Sequence, residues 1–279
     1  MRHYVLLDTE TTGADEGDRI CQLAFLDVAA DSVNAYNDLC KPPAPIGFGA
    51  MAIHHITNEM VETAPEYHQT PAAKMLETLN DGENIAVIQN APFDLGMLAK
   101  EGVRWKGPVI DTYRCLRHLE PDLERFGLQY VRYALGFYKE EKALADRFGV
   151  TIQAHDALSD VIVLYQLMQH LVAKVGRDVN RLVALTNTPV RIRRFHFGKF
   201  KGQEIVSVVQ NEPDYLEWVL GNVTLEEDME FSLRLALAER ALGLPVANRR
   251  SSDQQHLAWA DQRREWMPAG VLAMMDGDV

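Results

Sequence analysis

The chain of 279 residues is poor in cysteine and has no long apolar run. Its three cysteines, Cys21, Cys40 and Cys115, are scattered and form no Cys-x-x-Cys pair, so neither a zinc site nor a disulfide framework is indicated. A reduced, cytoplasmic setting is therefore expected. No stretch approaches the roughly 20 apolar residues of a membrane span, and the first residues do not follow the pattern of a signal peptide. No membrane partner is predicted.

Positive charge is also scarce. The chain has 28 Lys and Arg residues against 40 Asp and Glu residues, which gives a formal net charge of −12. Overall charge therefore argues against broad, non-specific binding to nucleic acid. It leaves open a local basic groove, or a site where metal ions offset the acids.

Short apolar runs of strand length alternate with helical apolar patterns along the first two thirds of the chain, which predicts an α/β fold. The predicted strands are Tyr4–Leu7, Ile20–Val28, Asn34–Cys40, Ile85–Ile88 and Val109–Ile110. The predicted helices are Asn58–Val61, Ala72–Leu79, Phe93–Leu98, Thr112–Leu119, Leu128–Leu135, 155–175, Ile205–Gln210, Tyr215–Leu220 and Glu226–Leu242. Asp111 is placed to cap the helix that begins at Thr112.

The composition changes past Pro189, where basic and aromatic residues become frequent. Three regions are therefore predicted. Residues 1–176 form the α/β domain, residues 189–243 form a small basic and aromatic accessory domain of α+β type, and residues 244–279 form a polar, partly flexible tail.

Two acids, Asp8 and Glu10, directly follow the first apolar strand. Alternate residues of a strand share a face, so both carboxylates would project together from the end of the strand, where open α/β sheets hold their ligands. A hard divalent cation would offset their repulsion. For this pair alone, a solvated acidic turn is the favoured interpretation.

Two further stretches of the sequence favour a metal site over a solvated turn. Asp94 lies early in a helix that follows a buried strand, and Asp160 lies in the first turns of the helix within residues 155–175. His155 precedes Asp160. Each residue alone is explained by the helix dipole or by a cap. Together, however, the three stretches place acids at the end of a strand and at the starts of two helices, with one histidine beside the last.

The stretches DTETTG, NAPFD and HDALSD, in this order and at these separations, resemble the three motifs of the DEDDh 3′→5′ exonuclease superfamily. The resemblance covers about residues 4–172 and implies a ribonuclease H-like mixed sheet flanked by helices. It implies that Asp8, Glu10, Asp94 and Asp160 bind metal and that His155 is the general base. It also implies nucleic-acid contacts by Thr9, Thr11, His54, Asn90 and Phe93. Gln89 stands where family members often carry histidine.

The chemistry explains these residue types. Two divalent ions about 3.5–4 Å apart can hold both the attacking and the leaving oxygen of a phosphodiester. Four carboxylates would offset most of the charge of two Mg²⁺ ions, with Mn²⁺ as a substitute. A histidine that titrates near neutral pH can take a proton from the attacking water.

The segment RIRRFHFGKFKGQ combines basic residues with Phe195, Phe197 and Phe200. Such a pattern can hold phosphates and stack bases, and Arg193, Arg194, Lys199 and Lys201 are the predicted phosphate contacts. The alternative is a small ββα unit with a phenylalanine core and solvated charges. FGKFKG followed by PDYLEW is similar to the C-terminal part of exodeoxyribonuclease X-type proteins.

The resemblance implies a metal-dependent 3′→5′ exodeoxyribonuclease that releases nucleoside 5′-monophosphates, in DNA repair or end trimming. Its partner would be DNA with a 3′ end, single-stranded or partly duplex. The alternatives are a 3′→5′ exoribonuclease of RNA maturation, a polymerase-associated proofreading subunit, and a nucleic-acid-binding module without catalysis. A homodimer is a further alternative, because dimers occur among the relatives.

Overall fold

The computed structural model describes residues 2–148 and 157–243, which belong to two compact units. The first unit comprises Met1–Leu119 and Leu123–Asn187, and the second comprises Glu120–Asp122 and the chain from Thr188 onward. The predicted polar tail at residues 244–279 lies outside the described residues. Within the two described ranges, no helix is long and apolar enough to cross a membrane.

A five-stranded mixed sheet forms the centre of the first unit. Its strands are β1 (Tyr4–Thr11), β2 (Ile20–Val28), β3 (Val33–Leu39), β4 (Ile85–Ile88) and β5 (Val109–Asp111). Their order is β3-β2-β1-β4-β5. β2 is antiparallel to both β1 and β3, whereas β1, β4 and β5 are parallel. The predicted mixed sheet flanked by helices is confirmed.

Nine helices of this unit fall within the described ranges. They are α1 (Phe48–His54), α2 (Asn58–Val61), α3 (Pro71–Leu79), α4 (Ala91–Lys100), α5 (Thr112–Leu119), α6 (Leu128–Ala134), α7 (Glu141–Phe148), α8 (Ala157–Lys174) and α9 (Val179–Thr186).

The first strand is longer than the sequence predicts. It does not stop at Leu7 but continues through both acids to Thr11. Asp8 pairs with Ala24 and Glu10 with Gln22, and the register shifts after Glu10. The neighbouring strand thus supplies ladder hydrogen bonds that the polar residues need, and the irregularity lies beside the acids, where bulges often re-aim side chains.

The two faces of the sheet bury different parts of β1. Val5 and Leu7 belong to an apolar core that also includes residues of α3 and α4, such as Leu76 and Leu98. Because side chains alternate, the even-numbered residues of β1 point to the opposite face. Helix α8 packs against β1 and β2. The first acid pair therefore lies on the face that the start of α8 covers.

The second unit contains three helices among its described residues. They are α10 (Ile205–Asn211), α11 (Pro213–Asn222) and α12 (Glu227–Ala241). Among the described residues of this unit, one antiparallel bridge joins Arg194 to Glu204, so the two strands of the ββα alternative are reduced to this bridge. Phe195 is fully buried and belongs to the core of this unit, with Phe197 and Phe200 partly buried against it. These three phenylalanines therefore form part of the core of the unit, as the alternative interpretation of a phenylalanine core predicts.

Candidate active site

Three carboxylates converge at the edge of the sheet. One oxygen each of Asp8, Glu10 and Asp160 lies within 4.8 Å of the other two. Asp8 and Glu10 are half-buried and Asp160 is buried. The structure therefore brings together three of the four acids that the sequence predicts as metal ligands.

Two elements position this cluster. Asp8 and Glu10 lie two residues apart on β1, so the period of the strand places them on one face. Asp160 lies in the first turn of α8. The backbone N–H of Ala157 donates a 3.4 Å hydrogen bond to Oε1 of Gln22, the strand partner of Glu10. This contact holds the start of α8 beside the acidic end of β1.

The fourth predicted acid, Asp94, has different partners. It is buried in the first turn of α4, and its Oδ1 accepts two hydrogen bonds from Thr9. The backbone N–H donates at 3.0 Å and the hydroxyl at 2.7 Å. Burial raises the pKa of Asp94 to about 7, and the hydrogen bonds from Thr9 oppose that rise. Its role as a metal ligand stays a prediction.

Asp111 fixes the turn that carries Asp94. As predicted, it caps α5, because its Oδ1 accepts a 2.9 Å hydrogen bond from the backbone N–H of Tyr113. It also accepts hydrogen bonds from the N–H groups of Asn90 at 3.1 Å and Ala91 at 3.2 Å. Asn90 adopts a left-handed conformation with φ of 63°. One buried carboxylate thus holds the starts of two helices.

His54 occupies a buried position at the end of α1. Its Nδ1 accepts a hydrogen bond of 3.0 Å from the N–H of Ile56. Its Nε2 lies 3.1 Å from the carbonyl oxygen of Thr11 and therefore donates to it. Burial lowers the pKa of His54, which favours the neutral ring. A contact with nucleic acid would have to use the carbon edges of the ring or replace one of these bonds.

Three other predicted contacts lie near the acids. The hydroxyl of Thr11 donates a 2.7 Å hydrogen bond to the carbonyl oxygen of Gly13, and Thr11 is buried. Asn90 and Phe93 are exposed at the start of α4, with Phe93 36% exposed. These two side chains present an amide and an aromatic ring to solvent beside Asp94. His155, the predicted general base, lies outside the described residues.

The arginines of the basic segment in the second unit pair with acids. Arg191 pairs with Glu239 at 2.7 Å, Arg193 with Asp122 at 2.9 Å, and Arg194 with Glu204 at 2.6 Å. Two of these acids, Glu239 and Asp122, are 48 and 71 residues distant in sequence, so local composition could not show them.

The two lysines of this segment have other surroundings. The Nζ of Lys199 lies 4.8 Å from the ring centroid of Phe200, and Lys201 is exposed. Neither forms a salt bridge with a described residue. The positive charge that remains unpaired in this segment is therefore carried by lysines rather than by arginines.

The acidic cluster fits a divalent metal ion. Carboxylate oxygens are the donors that hard divalent cations take, and a divalent cation would offset the charge of three such groups this close together. Asp160 also accepts a hydrogen bond from the side-chain amide of Gln129, a residue that the sequence does not single out because its partner is 31 positions away.

Family comparison agrees with this geometry. The family described as Exonuclease matches residues 5–168, which is more than half of the chain, and the Exodeoxyribonuclease X-like C-terminal family matches residues 195–224. The chain therefore belongs to the exonuclease family and is a nuclease. This family depends on divalent metal ions.

Individual relatives extend the likeness over most of the chain. Exodeoxyribonuclease 10 of Escherichia coli (strain K12) is 30% identical over 240 residues, which cover 83% of this chain and 96% of the relative. A DNA polymerase III subunit epsilon-like protein of Rhodobacter capsulatus is 29% identical over 163 residues, or 55% of this chain and 23% of that protein. A solved structure of exonuclease X with 5′ overhanging duplex DNA aligns with a TM-score of 0.50 at 24% identity, covering 66% of this chain and 99% of that one. That alignment confirms the fold.

Proposed function

We propose that this protein is a 3′→5′ exodeoxyribonuclease that releases nucleoside 5′-monophosphates from DNA with a single-stranded or partly duplex 3′ end. The observation that carries the proposal is the convergence of Asp8, Glu10 and Asp160 within 4.8 Å in a chain of the exonuclease family. The 30% identity to exodeoxyribonuclease 10 over 96% of that protein supports DNA as the substrate.

Asp8, Glu10 and Asp160 would hold the metal, and Asp94 would join them. Bound divalent ions supply a polarised water and offset the charge that develops on the phosphate. Mg²⁺ is the proposed ion because it prefers oxygen ligands, with Mn²⁺ as a substitute. Thr9 holds the Asp94 carboxylate at a fixed orientation through its two hydrogen bonds.

His155 is the proposed proton acceptor. It precedes Asp160 by five residues in the third motif and lies within the matched range 5–168. A neutral imidazole nitrogen would take the proton of the attacking water.

Substrate binding would use exposed groups in both units. Asn90 and Phe93 of the first unit would contact the terminal nucleotide. Lys199 and Lys201 of the second unit would contact phosphates. We also propose a cytoplasmic role in DNA repair or end trimming. A homodimer is a separate proposal, which light scattering after size-exclusion chromatography tests.

The experiment compares oligonucleotides of one sequence as DNA and as RNA, each labelled at the 5′ end or at the 3′ end. Digestion is followed with Mg²⁺ and with EDTA. A mock purification from cells that lack the protein is the control for a contaminating nuclease, and the Asp8→Asn variant tests the acidic cluster. Stepwise shortening of 5′-labelled DNA, with early release of mononucleotide from the 3′ label, supports the proposal.

Each alternative has a distinct outcome. Faster digestion of RNA would make the protein an exoribonuclease. Binding of DNA without release of mononucleotide in Mg²⁺ would indicate a binding module. Equal activity of Asp8→Asn and the wild type would show that the acidic cluster does not carry the reaction.

A further inference from the structure

A chain of side-chain hydrogen bonds leads from helix α7 to the acidic cluster. Glu141 binds Arg132, Arg132 binds Gln129, and Gln129 binds Asp160. We infer that Gln129 is a positioning residue, which sets the orientation of the Asp160 carboxylate for metal binding and is itself oriented by the Arg132–Glu141 pair. This inference rests on the proposed function.

The amide of Gln129 can face only one way. Its Nε2 donates to Oδ1 of Asp160, and its Oε1 accepts a 3.0 Å hydrogen bond from Nη1 of Arg132. A rotation of the amide by 180° would turn its oxygen toward a carboxylate and its N–H groups toward a guanidinium. Both contacts would then be repulsive, because carboxylates only accept and guanidinium groups only donate hydrogen bonds.

The arginine is fixed in turn by a two-pronged ion pair. Its Nε donates to Oε2 of Glu141 at 2.6 Å, and its Nη2 donates to Oε1 of the same carboxylate. The side chains of Arg132 and Glu141 are only 10% and 12% exposed. Bidentate pairs of this kind define geometry as well as energy. Glu141 also offsets the arginine charge, so the amide rather than a free cation faces Asp160.

The helix geometry makes the arrangement possible. Gln129 and Arg132 are three residues apart on α6, so they lie on the same face, and α6 and α7 are joined by a short connection. The pair Arg132–Glu141 thus ties α7 to α6, while Gln129 connects α6 to α8. Outer partners of metal ligands commonly tune metal affinity by 10–100-fold, and Gln129 contacts Asp160 directly.

The experiment replaces Gln129 by methionine, which has a similar length and volume but no amide. Gln166→Met is the matched control, because Gln166 is a buried glutamine of the same unit whose amide donates to a backbone carbonyl, that of Phe137, at 3.2 Å. Mn²⁺ affinity is measured by calorimetry on full-length protein, with DNA hydrolysis over a range of Mn²⁺ concentrations and melting in EDTA measured alongside. Gln129→Ala serves as a second variant in case the methionine packs poorly.

The inference predicts that Gln129→Met raises the Mn²⁺ dissociation constant about tenfold or more. Saturating Mn²⁺ should restore kcat to within a few-fold of the wild type, and melting in EDTA should resemble that of Gln166→Met. A dissociation constant within twofold of the wild type, for a folded Gln129 variant, would overturn the inference and leave the proposed function intact. A wild-type protein that neither binds Mn²⁺ nor hydrolyses DNA would overturn both.

Discussion

Thr9 donates two hydrogen bonds to the same carboxylate oxygen of Asp94, one from its backbone N–H at 3.0 Å and one from its hydroxyl at 2.7 Å. Both residues are buried. The contact joins β1, which carries two acids of the cluster, to the first turn of α4. It fixes Asp94 at the edge of the sheet.

Loss of the Thr9 hydroxyl should impair both stability and catalysis. Thr9→Val keeps the shape of the side chain but removes one of the two donors, and a lost hydrogen bond to a buried carboxylate costs about 1–3 kcal/mol. We expect a drop of that size in the free energy of unfolding, measured with urea, and a lower kcat/KM. Thr9→Ser should retain most of both quantities. Equal defects in the two variants would contradict a role for the hydroxyl.

Asp94 should make the stability of the metal-free protein depend on pH. Its pKa is about 7 in the folded chain against an ordinary value of 3.8, so between about pH 4 and pH 7 the folded chain binds a proton that the unfolded chain has released. The free energy of unfolding therefore falls as pH rises through this range.

The Asp94→Asn variant should lack this fall, because its side chain stays neutral. In EDTA, we expect the free energies of unfolding of the variant and the wild type to differ least near pH 4. As pH rises, the free energy of unfolding of the variant should exceed that of the wild type by a growing amount, which reaches on the order of a few kcal/mol above pH 7. Urea denaturation at pH 5, 6, 7 and 8 gives the difference. Parallel profiles would show that Asp94 is not protonated in the folded chain.

His155→Ala should separate catalysis from metal binding. General base catalysis contributes typically 10²–10⁴-fold to rate, so kcat should fall by about this factor while the Mn²⁺ dissociation constant stays within a few-fold of the wild type. Calorimetry and single-turnover DNA hydrolysis measure the two quantities. Unchanged kcat would remove His155 from the mechanism.

The lysines of the second unit should contribute to DNA binding more than its arginines do. Arg193 and Arg194 already pair with acids, so neutralising a phosphate would cost them those pairs. We expect Lys199→Ala combined with Lys201→Ala to weaken DNA binding several-fold near 100 mM salt. The slope of log affinity against log salt should fall by up to about 1.5 for single-stranded DNA.

The matched control for this charge change is Lys74→Ala combined with Lys106→Ala. These two lysines are exposed, lie in the first unit and are not among the proposed contacts. The control should leave affinity and salt slope close to those of the wild type. Equal losses in both double variants would mean that only total charge matters.

Local patterns predict much of this structure. The bounds of β2 at Ile20–Val28 and of β4 at Ile85–Ile88 coincide with the predicted strands, because continuous apolar runs specify strands buried on both faces. The end of β1 is wrong in the prediction, since the polar run after Leu7 resembles a strand end. Pairing of Asp8 and Glu10 with β2 extends the strand.

What the sequence could not provide are partners that are distant along the chain. Helix α7 is missed because it is short and polar and buries only Ala145, so its position depends on packing and on the Arg132–Glu141 pair. Similarly, the spacing of Gln129 and Arg132 indicates a shared helix face, but nothing local indicates Asp160 as the target.

The motifs each place an acid at the end or start of a strand or helix, and on that pattern Asp8, Glu10, Asp94 and Asp160 are predicted as a set. Three of them, Asp8, Glu10 and Asp160, lie together in the structure, and the role of Asp94 stays a prediction.

Anomalous diffraction from crystals soaked in Mn²⁺ shows whether Asp8, Glu10 and Asp160 bind a divalent ion. We expect a manganese peak in contact with carboxylate oxygens of Asp8 and Asp160, and loss of that peak in crystals of Asp160→Asn. Soaked wild-type crystals with no peak at these side chains, or with the carboxylates turned away from one another, would contradict the proposed metal site.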